Sequence, residues 1–119
     1  MQPEVAKFLR DVRKACERLQ RFTAGKSFAE YQVDEEKQAA VERQFITLGE
    51  ALAQASKLDP TLSQFITAFG QIIAFRNILV HGYASVKHET VWGVIENDLA
   101  VLTKEVENLL CRIPQGPAG

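Results

Sequence analysis

The sequence predicts an all-α protein, and an antiparallel four-helix bundle is the most economical architecture for it. Apolar residues recur at helical spacing in four long segments, and glycine or proline separates these segments. No stretch alternates between apolar and polar residues for long enough to indicate a β-sheet. A short extra helix is compatible with the same pattern.

The first helix is predicted over residues 4–24, because Gly25 is suited to end it. Its apolar stripe consists of Val5, Phe8, Leu9, Val12, Cys16, Leu19 and Phe22. Residues 1–26 hold seven lysines and arginines against three acids, a surplus of +4, whereas the whole chain carries −1. This asymmetry indicates a surface for phosphates or for an acidic partner, or else an ordinary solvated helix face.

The second helix is predicted to begin at Asp34, whose side chain can cap the helix. Glu35 and Glu36 then lie in a first turn where acids are favoured. The apolar stripe of this helix consists of Val41, Phe45, Leu48, Leu52 and Ala55. Asp59-Pro60 is expected to end it.

Thr61 or Ser63 is expected to start the third helix, which continues to Gly82. Its apolar residues are Phe65, Ile66, Phe69, Ile72, Ile73 and Phe75. The fourth helix is predicted from about His88 to Arg112, with a stripe of Val91, Ile95, Leu99, Leu102, Val106 and Leu109. We therefore expect one helical domain over residues 1–113 and a flexible tail over residues 114–119.

The composition excludes several classes of protein. With 119 residues, 46% hydrophobic and 24% charged, the chain fits one globular domain and is not intrinsically disordered. No apolar run is long enough to cross a bilayer and no signal peptide is recognisable, so we expect a cytoplasmic protein without membrane association. Cys16 and Cys111 belong to no CxxC or Cys/His pattern, and a loop separates the two histidines. We expect reduced thiols packed on helix faces, no metal site and no cofactor.

Residues 76–83 concentrate polar groups in an otherwise apolar run. A cation, Arg76, and an imidazole, His81, at the edge of a hydrophobic surface are costly unless they are paired or used. At helical pitch the two are about 140° apart around the axis, so one straight helix cannot direct both at one point. Either the helix ends or bends near Gly82 and returns His81 toward Arg76, or a second subunit completes the site.

The order of residues in this run is Arg76-Asn77, then His81, then Gly82-Tyr83, with Val91-Trp92 in the following helix. This R-x4-H-x-Y motif resembles the HEPN superfamily, and specifically its HepT-like toxins. The resemblance covers about residues 4–110 and includes three upstream segments: Phe8-Leu9-Arg10-Asp11, Ala40-Val41-Glu42-Arg43 and Leu48-Gly49-Glu50-Ala51. The chain departs from the family at Lys87, where an acidic cap of the last helix is expected.

The resemblance implies a HEPN-type bundle that dimerises and brings two motifs into one cleft. It also implies a toxin that is a metal-independent endoribonuclease. Arg76 and His81 would be its catalytic pair and Asn77 the supporting neighbour. An MntA-like nucleotidyltransferase antitoxin would neutralise it by transferring AMP to Tyr83. The alternative is a non-catalytic module of the same fold that binds substrate for a partner nucleotidyltransferase, or scaffolds that partner.

The implied chemistry suits these side chains. A histidine can move the proton of an RNA 2′-hydroxyl, and a guanidinium can hold the charge that grows on the attacked phosphate. Each residue also has a purely structural interpretation. Taken singly, His81 fits a structural hydrogen bonder, Tyr83 a residue at the helix boundary and Trp92 a core residue. Glu50 fits two roles, either orienting Arg76 across helices or remaining an exposed acid.

Overall fold

The structure is a computed structural model that describes residues 2–82 and 86–112. Within these residues the chain forms six α-helices and one 3-10 helix and contains no strand, which confirms the all-α class. The predicted tail over residues 114–119 lies outside the described residues. The α-helices are α1 (Pro3–Thr23), α2 (Phe28–Gln32), α3 (Glu35–Leu58), α4 (Phe69–His81), α5 (His88–Asn97) and α6 (Leu99–Cys111).

Helices α1 and α3 form the centre of the molecule, and their mutual contact is the most extensive in the fold. Helix α4 packs on α3, and α6 packs on α1, so the core lies between four long helical segments. The helix α1 begins with Pro3 in its first turn, where the missing N–H costs nothing. The chain leaves α1 through Gly25, whose φ of 71° is in the left-handed region that favours glycine.

Helix α2 is the short extra helix that the sequence allowed. A capping box starts it: the Glu30 N–H donates to Ser27 Oγ at 3.2 Å, and the Ser27 N–H donates to Glu30 Oε1 at 3.1 Å. The helix buries Tyr31 with its ring centroid 5.2 Å from Trp92 and 5.9 Å from His88. Burial raises the pKa of the Tyr31 hydroxyl, and the charge of Glu42 raises it further.

The predicted cap of α3 is confirmed, because the Lys37 N–H donates to Asp34 Oδ1 at 3.0 Å. The predicted start of the next helix at Thr61 or Ser63 is wrong. Residues Pro60–Gln64 form a 3-10 helix instead, and α4 begins only at Phe69.

Residues 59–68 form a capped 3-10 helix and turns rather than a regular α-helix. Asp59 caps the 3-10 helix by accepting from the Thr61 N–H at 3.1 Å. Farther along, Glu105 of α6 accepts from the Thr67 N–H at 3.1 Å and from its hydroxyl at 2.7 Å. The second contact joins positions 38 residues apart, so local sequence patterns do not reveal it.

The predicted range of the fourth helix is confirmed, but this range forms two helices instead of one. Helix α5 begins at His88 as expected, but the chain departs from helix at Asp98 before α6 begins at Leu99. Asn97 and Asp98 are poor helix formers because their side chains compete for backbone hydrogen bonds. The interruption is brief: the Asp98 N–H still donates to the Val94 carbonyl at 2.9 Å.

The two cysteines are both free thiols in different surroundings. Cys16 is fully buried, and its burial raises the pKa of the thiol to about 11 although a hydrogen bond with Thr103 lowers it. Cys111 is exposed, so the expectation that both thiols are packed on helix faces is wrong for this one. None of the helices in the described residues is long and apolar enough to span a membrane.

Candidate active site on helix α4

Helix α4 carries the motif, and it remains a regular helix through His81. Arg76 and His81 are the only ionisable side chains among its 13 residues. Ile72, Phe75 and Leu79 face the core. The helix ends immediately afterwards, where the Gly82 N–H donates to the Ile78 carbonyl at 2.7 Å. No bend between Arg76 and His81 therefore brings these two side chains together within one chain.

The side chain of Arg76 crosses α3 over a glycine. A Cβ atom built at Gly49 would lie 2.7 Å from Cγ of Arg76 and nearer still to its Cβ. Only a residue without a side chain allows this approach of α4 to α3. Gly49, in the interior of a long helix, thus determines where the stem of Arg76 passes.

The guanidinium of Arg76 is held by its neighbours on both helices. Its Nη1 donates to Oδ1 of Asn77 at 2.7 Å, and its Nη2 lies 3.5 Å from Oε1 of Glu50. The Arg76 side chain is 27% exposed and that of Glu50 is 53% exposed, so the ion pair contributes less than about 1 kcal/mol. Its effect is to orient the cation, which decides between the two roles that the sequence left open for Glu50.

The guanidinium of Arg76 has more N–H donors than its contacts with Asn77 and Glu50 use. Its Nε is buried and has no partner among the described residues, so a ligand in the groove would reach the terminal nitrogens. The remaining N–H groups of these nitrogens can donate to an anionic oxygen in a charge-assisted hydrogen bond.

An open groove of about 650 Å³ runs between α1, α3 and α4. Arg76 and Asn77 lie on its α4 side, and Lys57 adds a second cation from the last turn of α3. Two acids, Asp11 and Glu50, also line it. The remaining lining residues are Phe8, Thr47, Ala51, Ala53, Gln54 and Ile73.

His81 does not line this groove. It is exposed in the last turn of α4 and lies about 140° around the axis from Arg76 and about 7.5 Å farther along it. Of the predicted site residues, the structure brings together Arg76 and Asn77 and leaves His81 apart from Arg76. The predicted acceptor Tyr83 lies outside the described residues.

Asn77 and His81 are four residues apart and share the outward face of α4. Gly70 and Ala74 continue this face toward the start of the helix, and both are exposed. The adjoining Ile78 and Val80 are 45% and 37% exposed. We call residues 70, 74, 77, 78, 80 and 81 the α4 outer face. Apart from Asn77 and His81 it is apolar, and two of its six residues, Gly70 and Ala74, are small.

Arg76, Asn77 and His81 were identified from the sequence, and Glu50 was identified as a residue that could orient Arg76, but no role was assigned to the other residues around them. Gly49 and Lys57 were missed, and the signal for Gly49 was present, since a glycine inside a long helix points to a close packing contact. Trp92 is 8% exposed and packs on Tyr31, which agrees with its core interpretation. Among the described residues, no group of acids, histidines and cysteines is arranged to hold a metal ion.

Comparison with known proteins gives two matches. A family model described as "Ribonuclease HepT-like" matches residues 12–109, which include α4 and the residues around Arg76. The chain is also 26% identical over 112 residues to a protein of Methanocaldococcus jannaschii named "Putative RNase MJ0127". That alignment covers 90% of this chain and 88% of the relative. No solved structure matches the chain significantly.

Proposed function

We propose, from the premise that the chain belongs to the HepT-like ribonuclease family, that it is a metal-independent endoribonuclease and the toxin of a toxin–antitoxin pair. The observation that carries this proposal is the position of Arg76. This residue of the motif lies at the edge of an open groove and is oriented by Glu50 and Asn77, and these contacts leave terminal N–H donors for a ligand. Its place of action would be the cytoplasm, where RNA is available.

The proposed reaction uses the 2′-hydroxyl of RNA as the nucleophile. Its oxygen attacks the adjacent phosphorus while a base removes its proton, and the bond to the 5′-oxygen of the next nucleotide breaks as an acid protonates that oxygen. The products are a 2′,3′-cyclic phosphate and a free 5′-hydroxyl. Arg76 would hold the charge on the non-bridging oxygens, which grows in the transition state. His81 would transfer the protons.

The geometry of α4 favours a second subunit in this reaction, because Arg76 and His81 of one chain diverge by about 140°. The α4 outer face supplies a surface for such a partner. Apolar and nearly uncharged helix surface favours burial, and the small side chains of Gly70 and Ala74 allow a second helix to approach closely. We propose a homodimer joined at this face, in which Arg76 works with the partner subunit's His81.

The antitoxin in this proposal is an MntA-like nucleotidyltransferase that transfers AMP to Tyr83. The acceptor follows Gly82 directly and is the second residue after the end of α4. An added phosphate there would lie near the catalytic helix and could pair with Arg76, and the adenosine would fill the cleft. Neutralisation would then persist without a permanent complex between the two proteins.

Two substitutions test the catalytic assignment. Arg76→Ala and His81→Ala are each expected to reduce RNA cleavage by at least about a hundredfold, since each removes a group that acts on the transition state. The measurement is cleavage of labelled RNA by purified protein in EDTA, with helical content followed by circular dichroism. Lys104→Ala is the matched control, because it removes an exposed cation from α6, a helix that does not line the groove.

If either variant cleaves RNA at the wild-type rate, the substituted residue has no catalytic role. If wild-type protein leaves RNA intact and still binds a nucleotidyltransferase tightly, the chain is the non-catalytic module that the sequence left as an alternative.

A further substitution tests the modification. Wild-type protein incubated with the nucleotidyltransferase and ATP is expected to gain the mass of one or more AMP groups and to lose RNA cleavage. Tyr83→Phe lacks the hydroxyl and is expected to gain no mass and to keep its activity. Tyr31→Phe is the matched control and should be modified like wild type, because the Tyr31 ring is buried. Modification of Tyr83→Phe at the wild-type level would place the acceptor elsewhere.

A further inference from the structure

Helix α1 carries a line of cations along the side that faces solvent. Successive members are three, four, four and three residues apart, so they fall within about 80° of the helix surface and extend over about 21 Å. We call this set the α1 cation stripe. It consists of Lys7, Arg10, Lys14, Arg18 and Arg21.

Acids on α1 neutralise the stripe only in part. Asp11 and Glu17 lie three or four residues from Lys7, Lys14 and Arg21, a spacing at which opposite charges attract and offset some of the repulsion between the cations. Among the described residues, no cation of the stripe lies within ion-pair distance of an acid. A bound polyanion would relieve the remaining repulsion.

Aromatic rings support the two ends of the stripe. Lys7 Nζ lies 4.9 Å from the ring centroid of Phe8, and the guanidinium carbon of Arg21 lies 5.5 Å from that of Phe22. These cation–π contacts hold the terminal cations against the protein surface. Holding them reduces the conformational entropy that an anion would have to remove on binding.

The stripe also adjoins the candidate active site. Phe8 and Asp11, on the flank of α1 beside the stripe, line the same groove as Arg76. A chain bound along α1 can therefore pass over this flank and present one of its phosphates to the guanidinium. The cations of the stripe and the guanidinium of Arg76 would contact one continuous ligand.

We propose that the α1 cation stripe binds the phosphate backbone of single-stranded RNA and guides it into the Arg76 groove, an inference that rests on the proposed ribonuclease function. A line of evenly spaced cations fits a polymer with regularly spaced phosphates. Protein interfaces need buried apolar or aromatic anchors, and the stripe sector itself contains none. Recognition by this surface would be independent of base sequence.

The test measures RNA binding separately from RNA cleavage. The probe is a fluorescent 2′-O-methylated RNA of about 20 nucleotides, longer than common single-strand site sizes, which cannot react because its nucleophile is blocked. The test variant combines Arg10→Gln, Lys14→Gln and Arg21→Gln, all exposed positions. The control combines Lys26→Gln, Arg43→Gln and Lys104→Gln, which removes the same charge from exposed positions outside α1.

The stripe variant should bind the probe at least about tenfold more weakly than the control at 0.1 M salt, with a slope of log affinity against log salt smaller by about 2. Equal affinity and equal slope in the two variants would overturn the proposal. So would loss of binding to the nucleotidyltransferase with unchanged RNA binding, because the stripe would then serve an acidic protein partner. A failure of the catalytic proposal would give a different result. Wild-type protein would then bind the probe with the expected dependence of affinity on salt but would not cleave unmodified RNA.

Discussion

Arg76, the proposed catalytic cation, is positioned by neighbouring residues to which we assign no proton transfer. Gly49 clears the path of its stem, Glu50 attracts one end of the guanidinium, and Asn77 accepts from the other. These three contacts restrict the rotamers of a long and otherwise flexible side chain. Restriction before substrate binds lowers the entropy lost in the transition state.

Gly49→Ala tests this arrangement. The new Cβ would overlap the stem of Arg76 rather than a flexible chain end, so α3 and α4 must separate. We expect the free energy of unfolding to fall by about 1–2 kcal/mol, because the cost of overpacking exceeds the gain in helix propensity. RNA cleavage should fall as well, because Arg76 moves.

Gly93→Ala is the matched control for that measurement. It adds the same methyl group inside α5, where the new Cβ meets only Asn97 Nδ2, at 4.0 Å. Helix propensity alone should then raise the free energy of unfolding by up to about 1 kcal/mol. Urea unfolding of both variants at one protein concentration checks the pair. If the Gly49→Ala variant is as stable as the Gly93→Ala variant, the position of Arg76 does not depend on this contact.

At the scale of elements, helix α4 has two apolar sides with different roles. One side packs into the core through Ile72, Phe75 and Leu79. The opposite side is the α4 outer face, which remains exposed in the single chain. A helix that is apolar all round is ordinarily buried all round. The second side of α4 is therefore the part of the fold that most needs a partner.

Ala74→Glu tests the α4 outer face. Position 74 is exposed in the single chain, so the fold should persist, but a carboxylate in a dimer interface would be buried without a partner charge. We expect the variant to be monomeric in sedimentation and inactive on RNA, while wild-type protein is dimeric. Ala100→Glu, at an exposed position of α6, should remain dimeric. A dimeric Ala74→Glu protein would place the interface elsewhere.

Elements that carry local signals could be predicted from the sequence, and elements fixed by distant contacts could not. Gly25 follows α1 with a left-handed backbone conformation that favours glycine, and the side chain of Asp34 caps α3. Both signals are carried by the residue itself. The 3-10 helix and the late start of α4 depend partly on Glu105, which reaches Thr67 from another helix. The capping box at Ser27 was a local signal for α2 that the four-helix interpretation passed over.

The same distinction holds for the site. The motif residues, and the divergence of Arg76 from His81, follow from sequence and helical pitch alone. The groove could not be predicted in this way, because Lys57, Phe8 and Gly49 reach it only through the packing of α1, α3 and α4. The way in which the helices pack decides which residues meet across them, and no short-range sequence pattern encodes this packing.

At the scale of the whole molecule, one chain holds all the parts of the proposed site but does not assemble them. The groove with Arg76 lies between α1, α3 and α4, whereas His81 lies on the α4 outer face. A two-fold dimer through that face would create two equivalent Arg76–His81 pairs, each contributed by both subunits. Activity would then depend on dimerisation, and a monomer would fold without cleaving RNA.

The most direct test is RNA cleavage by a mixed dimer of Arg76→Ala and His81→Ala chains, co-expressed with two different tags and purified through both. One of its two pairs lacks both groups, and the other keeps Arg76 from one chain and the partner subunit's His81. The account predicts that neither parent homodimer cleaves RNA, whereas the mixed dimer recovers up to about half of the wild-type rate. A mixed dimer as inactive as its parents would contradict the shared site.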